Sequence, residues 1–272
     1  MKSFLFRCLT KYLPYALLLT LLTACSGIQL PKTSPLPELE QRQALARLKA
    51  LVNEPQPPSV ETSYDLSWDI LGQSGRMEAL LQIDEPDQLR FSTFDPLGRT
   101  LYLAVSDGKL FTVVDNRGAV VRRGQIDGAS WRSLVPEPLG LEDMGPLLAG
   151  RIGPVASGLV KASQNPEQTG YWFVWKDGRE LTHHVLLDRA QGLVARHLLL
   201  DKNGKILLDV VYLSYDQDRE TGYFWPKNTE VSGSLVKGKL VLERSGPLSF
   251  DPLPVSVFYL DIPPHFKVEQ LR

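Results

Sequence analysis

Cysteine is nearly absent from this chain of 272 residues: there are two, Cys8 and Cys25. A disulfide framework or a thiolate metal knuckle needs clusters of them, so neither is expected. Histidine is almost as scarce. His183 and His184 are adjacent, and on a strand neighbours point to opposite faces, so the two cannot chelate together. His197 and His265 have no evident partner in the sequence, and all four read as surface or rim histidines. The chain also lacks a Gly-x-Ser-x-Gly elbow and a phosphate-cradling loop ending in Lys-Ser or Lys-Thr. No catalytic residue, metal or cofactor is therefore expected, and the reading is of a protein that is not an enzyme. An excess of charge of one sign is missing too, with 30 Lys and Arg against 31 Asp and Glu. Without a concentrated basic face, nucleic-acid binding is not expected.

What the sequence does carry begins at its N-terminus. Lys2, Arg7 and Lys11 precede an apolar run from Tyr12 to Leu22, which ends in Leu22-Thr23-Ala24-Cys25. A basic start, an apolar stretch too short to span a bilayer comfortably and small residues before a cut describe an export signal rather than an anchor helix. The tetrad resembles the bacterial lipobox, in which the cysteine is acylated and becomes the first residue of the mature protein. Residues 1–24 are thus read as a lipoprotein signal peptide and Cys25 as the lipidation site, palmitate being one acyl group it would carry. Acyl chains contribute about 0.8 kcal/mol per buried CH₂, so several of them hold a protein on a membrane without a spanning helix. Ser26, rather than Asp, follows the cysteine, which resembles an outer-membrane address in the sorting rule of Gram-negative lipoproteins. The expected location is the outer membrane, lipid-anchored and facing the periplasm. The leader holds three bases and no acid, so the mature chain, about 250 residues long and of single-domain size, is modestly acidic.

Residues 25–37 are rich in proline and suit an extended, lipidated tether, and 38–272 read as one domain. Leu36, Leu39, Leu45, Leu48, Leu51 and Val52 recur at mostly helical spacing, which predicts an amphipathic helix over Glu38 to Asn53, stopped by Pro55, Pro57 and Pro58. The period then falls to two. Tyr64 to Ile70, Met77 to Ile83, Gln88 to Thr93, Thr100 to Val105 and Lys109 to Val114 form a first set of strands. Tyr171 to Trp175, Glu180 to Leu187, Leu193 to Leu200, Ile206 to Tyr215, Thr229 to Ser234 and Leu240 to Glu243 form a second. Turn dipeptides such as Asp107-Gly108, Asp177-Gly178 and Asn203-Gly204 make them antiparallel neighbours. Between the sets, Ile126 to Pro166 is apolar but divided by prolines, and is read as two or three short helices forming a lid. The fold class is mainly β: about eleven antiparallel strands in a sheet long enough to curl, with a helix and a lid covering its concave face.

Two features stand out as candidate sites. Aromatic residues crowd the strands and the lid, namely Trp68, Phe91, Tyr102, Phe111, Trp131, Tyr171, Phe173 and Trp175. Aromatics are favoured in strands for packing alone, so an ordinary core and an apolar ligand cavity both remain open as explanations. The second feature is Asp95-Pro96-Leu97-Gly98, whose Pro96 and Gly98 are turn formers while Leu97 is apolar at a tip where polar residues are usual.

On these residues the chain resembles the LolA/LolB lipoprotein-carrier superfamily, and most closely its lipid-anchored outer-membrane receptor branch. Phe91-Ser92-Thr93-Phe94-Asp95-Pro96-Leu97-Gly98-Arg99-Thr100 is similar to that branch's strand, Asn-Pro-Leu-Gly turn and strand, with Asp95 in place of Asn. Leu134 to Ile152 is similar to the family's lid region. Phe258 to Phe266, with Pro263-Pro264, is instead similar to the C-terminal run of the soluble carriers. The resemblance implies a curved, unclosed antiparallel barrel of eleven strands, a helical lid and a hydrophobic cavity. It implies acylated lipoproteins or lipid as ligands, a soluble periplasmic carrier as partner, a monomeric state, and a membrane-inserting loop at Pro96, Leu97 and Gly98. An expected function follows: binding the acyl chains of lipoproteins and assisting their insertion into the outer membrane. A lipid-binding or envelope-stress module on the same fold is the alternative, and a hydrolase with unrecognised residues the third.

Overall fold

The computed structural model describes residues 29–55, 57–84, 88–126, 139–153, 155 and 160–271. The chain divides into two units, Met1–Lys32 and Thr33–Arg272. Only residues 29–32 of the first are described, and they form neither helix nor strand. The signal peptide and Cys25 lie outside the described residues. Among the described residues no helix is long and apolar enough to cross a membrane.

The second unit opens with a two-residue strand, β1 (Ser34–Pro35), inside the segment read as a tether, followed by α1 (Glu38–Val52). Helix α1 ends where expected. Its sequence is dominated by strong helix formers, Glu38 and Glu40 stand in the first turn and Lys49 in the last, as the helix dipole favours. Ala44 and Leu48, four residues apart, form its buried stripe, with Leu45, Leu51 and Val52 packed beside them. Leu39, expected on that stripe, is exposed.

A single sheet follows, of fifteen strands among the described residues, and not eleven. The first run is β2 (Ser59–Ile70), β3 (Gln73–Asp84), β4 (Gln88–Phe94), β5 (Thr100–Asp107), β6 (Leu110–Asp115) and β7 (Val120–Gln125). After a helix, α2 (Leu141–Leu148), come β8 (Lys161–Gln164), β9 (Gly170–Lys176), β10 (Thr182–Asp188) and β11 (Val194–Leu200). The chain continues through β12 (Ile206–Gln217), β13 (Phe224–Gly233) and β14 (Gly238–Arg244) to β15 (Lys267–Gln270). The four strands absent from the sequence reading are β1, β7, β8 and β15. Each is short or polar and at or near a sheet margin, so none shows the alternation that a half-buried strand needs. The insertion read as two or three helices holds, among the described residues, one helix, and its end, Lys161–Gln164, is a strand. Residues 127–138, 154 and 156–159, where the rest of the expected lid and Trp131 fall, lie outside the described residues.

Strand order is β1-β8-β9-β10-β11-β12-β13-β14-β2-β3-β4-β5-β6-β7-β15. Two meanders are therefore spliced at the β14–β2 pair, where Gly238 faces Ile70 and Arg244 faces Tyr64. The sheet is unclosed because β1 and β15 are its free margins. Pairing is antiparallel throughout the described strands except for β15, which runs parallel to β7. The C-terminal segment covers the outer face of the first meander. Phe258 is buried there with Leu103, Val105, Val114 and Val121, flanked by Leu253, Leu260 and Phe266, and the Arg90 guanidinium donates to the Val257 carbonyl at 2.8 Å. Another satellite cluster on an outer face joins Trp172 to Leu198 and Leu200, which covers the second side of β9.

Candidate ligand cavity

The inner face of the two meanders is treated differently. Over part of β9 to β12 it is covered by α1: Ala44 and Leu48 pack with Tyr171, Phe173, Val185 and Leu187. Over β2 to β6 no described segment fills it in the same way. A cavity of about 490 Å³ remains, lined by Tyr64, Leu66, Leu81, Leu89, Phe91, Phe111 and Val113 on one side, by Leu208, Val210, Val231, Leu240 and Leu242 on the other, and by Leu139, Met144, Leu147 and Leu148 from α2 and its approach. None of its described lining residues is charged. The volume and the lining fall within the usual range of sites for small apolar ligands.

Helix α2 is fastened at both ends. Near its start the Arg179 guanidinium donates to both carboxylate oxygens of Asp143, at 2.7 and 2.9 Å, a bidentate pair of the stronger kind. Asp143 also accepts the Gly140 N–H at 2.7 Å. In its last turn Tyr212 donates to the Leu147 carbonyl at 2.7 Å, and beyond its end Tyr215 donates to the Val194 carbonyl at 2.7 Å with the Gly150 carbonyl 3.2 Å away. Burial pushes both phenols above their ordinary range, so they stay donors. Gly150 has φ +64 and lies against the Tyr215 hydroxyl and Pro226, where a side chain would collide; the chain leaves α2 there in the left-handed conformation that glycine supplies. Arg151 is buried and reaches Glu54, just past α1, at 3.2 Å.

A second, smaller chamber of about 330 Å³ adjoins the first, sharing Leu139, Leu147, Leu208 and Val210 in its wall. Its other lining groups include Asp143, Arg151, Trp175, Asp177, Arg179, His183 and His197. Strand register explains the histidines. Val185 faces His197 across the β10–β11 pair, and His183 faces Leu199, so His183 and His197 are diagonal neighbours on the inner face. Their rings meet through Nδ1 of His183 and Nε2 of His197 at 3.0 Å. Trp175 stacks on His183 with centroids 4.9 Å apart. His197 is only 7% exposed, a correction to its reading as a rim histidine, and burial pushes its pKa down to about 3. Burial also lowers His183, although the Asp177 carboxylate opposes that shift. Asp177 is itself desolvated, but hydrogen bonds from the Leu181 and Arg179 N–H groups and the Arg179 side chain hold it below the usual carboxylate range. Adjacency in sequence excluded His184 as a partner of His183; the partner on the next strand was invisible without register. Among the described residues no group of three His, Cys, Asp or Glu could hold a metal ion.

The expected cavity residues are distributed among several places. Phe91 and Phe111 line the large chamber and Trp175 the small one. Tyr171 and Phe173 are packed beneath α1, and the Arg189 guanidinium lies over the Tyr171 ring, 4.7 Å from its centroid. Trp68 lies over Gly75, its cross-strand partner, where any side chain would strike the indole. Tyr102 is 40% exposed, beyond the lining of either chamber.

The turn at Pro96, Leu97 and Gly98 joins β4 to β5, and Leu97 is 78% exposed. Asp95 organises the turn. Its carboxylate accepts the N–H groups of Leu97 and Arg99, both at 2.9 Å, and the Arg99 side chain at 2.7 Å. Led by the Arg99 backbone and side-chain hydrogen bonds, these keep Asp95 ionised below the usual range. Gly98 has φ +76, which glycine adopts freely. A second apolar tip, unread in the sequence, lies at the same end of the meander. Leu71, in the β2–β3 turn, is 76% exposed with φ +52, an unfavourable conformation for a bulky residue.

These features define a class: an open antiparallel sheet, curved about an apolar cavity and crossed by a short pinned helix. No family model and no curated protein matches the sequence. The fold is shared with solved structures. One, a DUF1329 family protein from Desulfovibrio piger, is 13% identical over 82% of this chain and 97% of its own, with a TM-score of 0.56. A protein described as an outer membrane lipoprotein-sorting protein domain, from Vibrio parahaemolyticus, is 14% identical over 78% of this chain and 92% of its own, with a TM-score of 0.53. A LolA superfamily protein from Nitrosomonas europaea is 10% identical over 81% and 97%, with a TM-score of 0.51. The chain thus has the fold of LolA-like proteins.

Proposed function

We propose that this protein binds the acyl chains of lipoproteins in its large chamber and assists their insertion into the outer membrane, as a lipid-anchored member of the receptor branch. The observation that carries the reading is the 490 Å³ chamber, none of whose described lining residues is charged. The fold shared with a lipoprotein-sorting domain and a LolA superfamily protein supports it. The mechanism is a handoff without bond-making. Acyl chains leave a soluble periplasmic carrier for the chamber and then enter the leaflet, each step driven by keeping CH₂ groups out of water. Cys25 holds the protein on the membrane through its acyl groups, and Leu97 enters the leaflet at the tip of its turn.

Replacing Leu97 by Glu tests the delivery step. The side chain is exposed, so stability is expected to change by no more than about 0.5 kcal/mol. Loading of a fluorescent acylated peptide onto the full chain should be unchanged, while its transfer to liposomes falls at least tenfold. Undiminished transfer would remove the receptor role. A full chain that co-purifies with free lipid and takes up no acylated peptide would leave the alternative, a lipid-binding module.

A further inference from the structure

The two chambers share a wall of four aliphatic residues yet differ in chemistry, and that difference speaks to the ligand's head rather than its tail. Resting on the reading of the large chamber as an acyl site, we propose that the small chamber receives an uncharged head that donates hydrogen bonds, a hydroxyl or amide N–H next to the acyl chain, and rejects an anionic one.

Charge pairing is the first argument. Both cations in the described lining are already committed: Arg179 to Asp143 and Asp177, and Arg151 to Glu54. Counting Glu54, three carboxylates face two guanidinium groups. A carboxylate or phosphate head would be desolvated beside them with no uncommitted cation in the described lining, the costly case for a buried charge.

Hydrogen-bond polarity is the second. The carboxylate of Asp177 stands 3.4 Å from Nε2 of His183. That is too poorly placed for a hydrogen bond but close enough to favour the proton on that nitrogen. Nδ1 of His183 is then an acceptor, and the 3.0 Å contact makes Nε2 of His197 the donor. Nδ1 of neutral His197 is left as a bare acceptor, and it is buried with no partner among the described residues. A buried acceptor of this kind is satisfied by a donor. Glyceryl hydroxyls and the amide N–H of an N-acylated cysteine both qualify, whereas a fatty-acid carboxylate offers no donor and brings a charge.

The test uses the full chain in a non-acyl amphipathic polymer and four photoreactive probes sharing one diazirine-bearing C18 chain. Their heads are a carboxylate, a methyl ester, a primary amide and a glycerol ester. Adducts are mapped by mass spectrometry. At pH 7.5 the amide and glycerol probes should label chamber residues at least tenfold more than the carboxylate, with the methyl ester between. In the Asp143→Asn, Asp177→Asn double variant the turn and helix-start acceptors persist but two carboxylates beside Arg179 are neutralised, so labelling by the carboxylate should rise above that by the ester. His197→Leu should bring the amide and glycerol probes down to the level of the ester. Equal labelling by carboxylate and glycerol heads in the unmodified chain overturns the head assignment and leaves acyl binding standing. No labelling by any probe overturns both. Competition by a synthetic diacylglyceryl, N-acylated cysteinyl peptide or by a monoacylglycerol supports the assignment and tells which source supplies the head; competition by neither, with the fatty acid competing, overturns it.

Discussion

The two halves of the sheet start from the same kind of sequence and end differently. Strands β9 to β12 and strands β2 to β6 are both rich in apolar residues, and both place aromatic side chains on the inner face. In the first case Tyr171 and Phe173 lie beneath Ala44 and Leu48 of α1. In the second Phe91 and Phe111 line the large chamber. The difference is made by helix α1, which lies more than a hundred residues before Tyr171 in the chain and covers the first set of aromatics but not the second. An interior ordinarily packs to crystal-like density, and among the described residues the inner face of β2 to β6 instead borders a chamber of about 490 Å³.

The same substitution made in each half should separate them most clearly. Phe173→Ala, beneath α1, is expected to cost about 3–5 kcal/mol, because it opens a cavity in a packed core. Phe91→Ala, half-buried on an existing cavity, should cost about 1 kcal/mol, and only it should alter the capacity for acyl probes. Urea unfolding with the two variants side by side measures this; equal costs would mean that the halves are packed alike.

Acid should act at the histidine pair, which lines the small chamber. His197 is neutral when folded down to about pH 3 but titrates near 6.5 when unfolded. The unfolded state therefore binds the extra proton as pH falls from about 6.5 to about 3, and stability is lost across that window. Each pH unit within it costs about 1.4 kcal/mol from this group, so the effect is complete only near the lower limit. The groups facing it set that depression: burial first, then His183 on β10, with Asp143 on α2 opposing. Wild type and His197→Leu, compared by thermal unfolding between pH 7 and pH 4, should differ in slope by this amount; parallel slopes would show that the ring is solvated.

A smaller effect on stability, with a larger one on binding, is expected from Ala104→Phe, which places a ring in the large chamber. Filling an existing void avoids the strain of overpacking, so stability should shift by less than about 1 kcal/mol while labelling by a C18 acyl probe falls at least tenfold. A large loss of stability would mean that the chamber cannot accommodate even one added side chain.

Much of this was legible in the chain. Helix α1 announced itself through Leu45, Leu48 and Leu51 and the prolines around it, and the long strands through period-two alternation, because both signals are local. Leu97 was legible for the same reason: a Pro-Leu-Gly tip carries its own turn chemistry. Strands β8 and β15 escaped because polar residues near a margin have no buried face to mark them, and β7 because Val121 is its one fully buried apolar side chain. The pairing of β14 with β2, which splices the meanders, leaves no trace in either segment.

The sequence by itself determined which residues alternate, where the turns fall and where the helix begins, since these follow from backbone preference and from the spacing of apolar side chains. Tertiary structure alone decided which aromatics became core and which became cavity wall, that His183 would meet His197, and that Asp143, Asp177 and Arg179 would share one corner. Those outcomes depend on strand register and on which element covers which face, and both are settled by contacts between residues far apart in the chain.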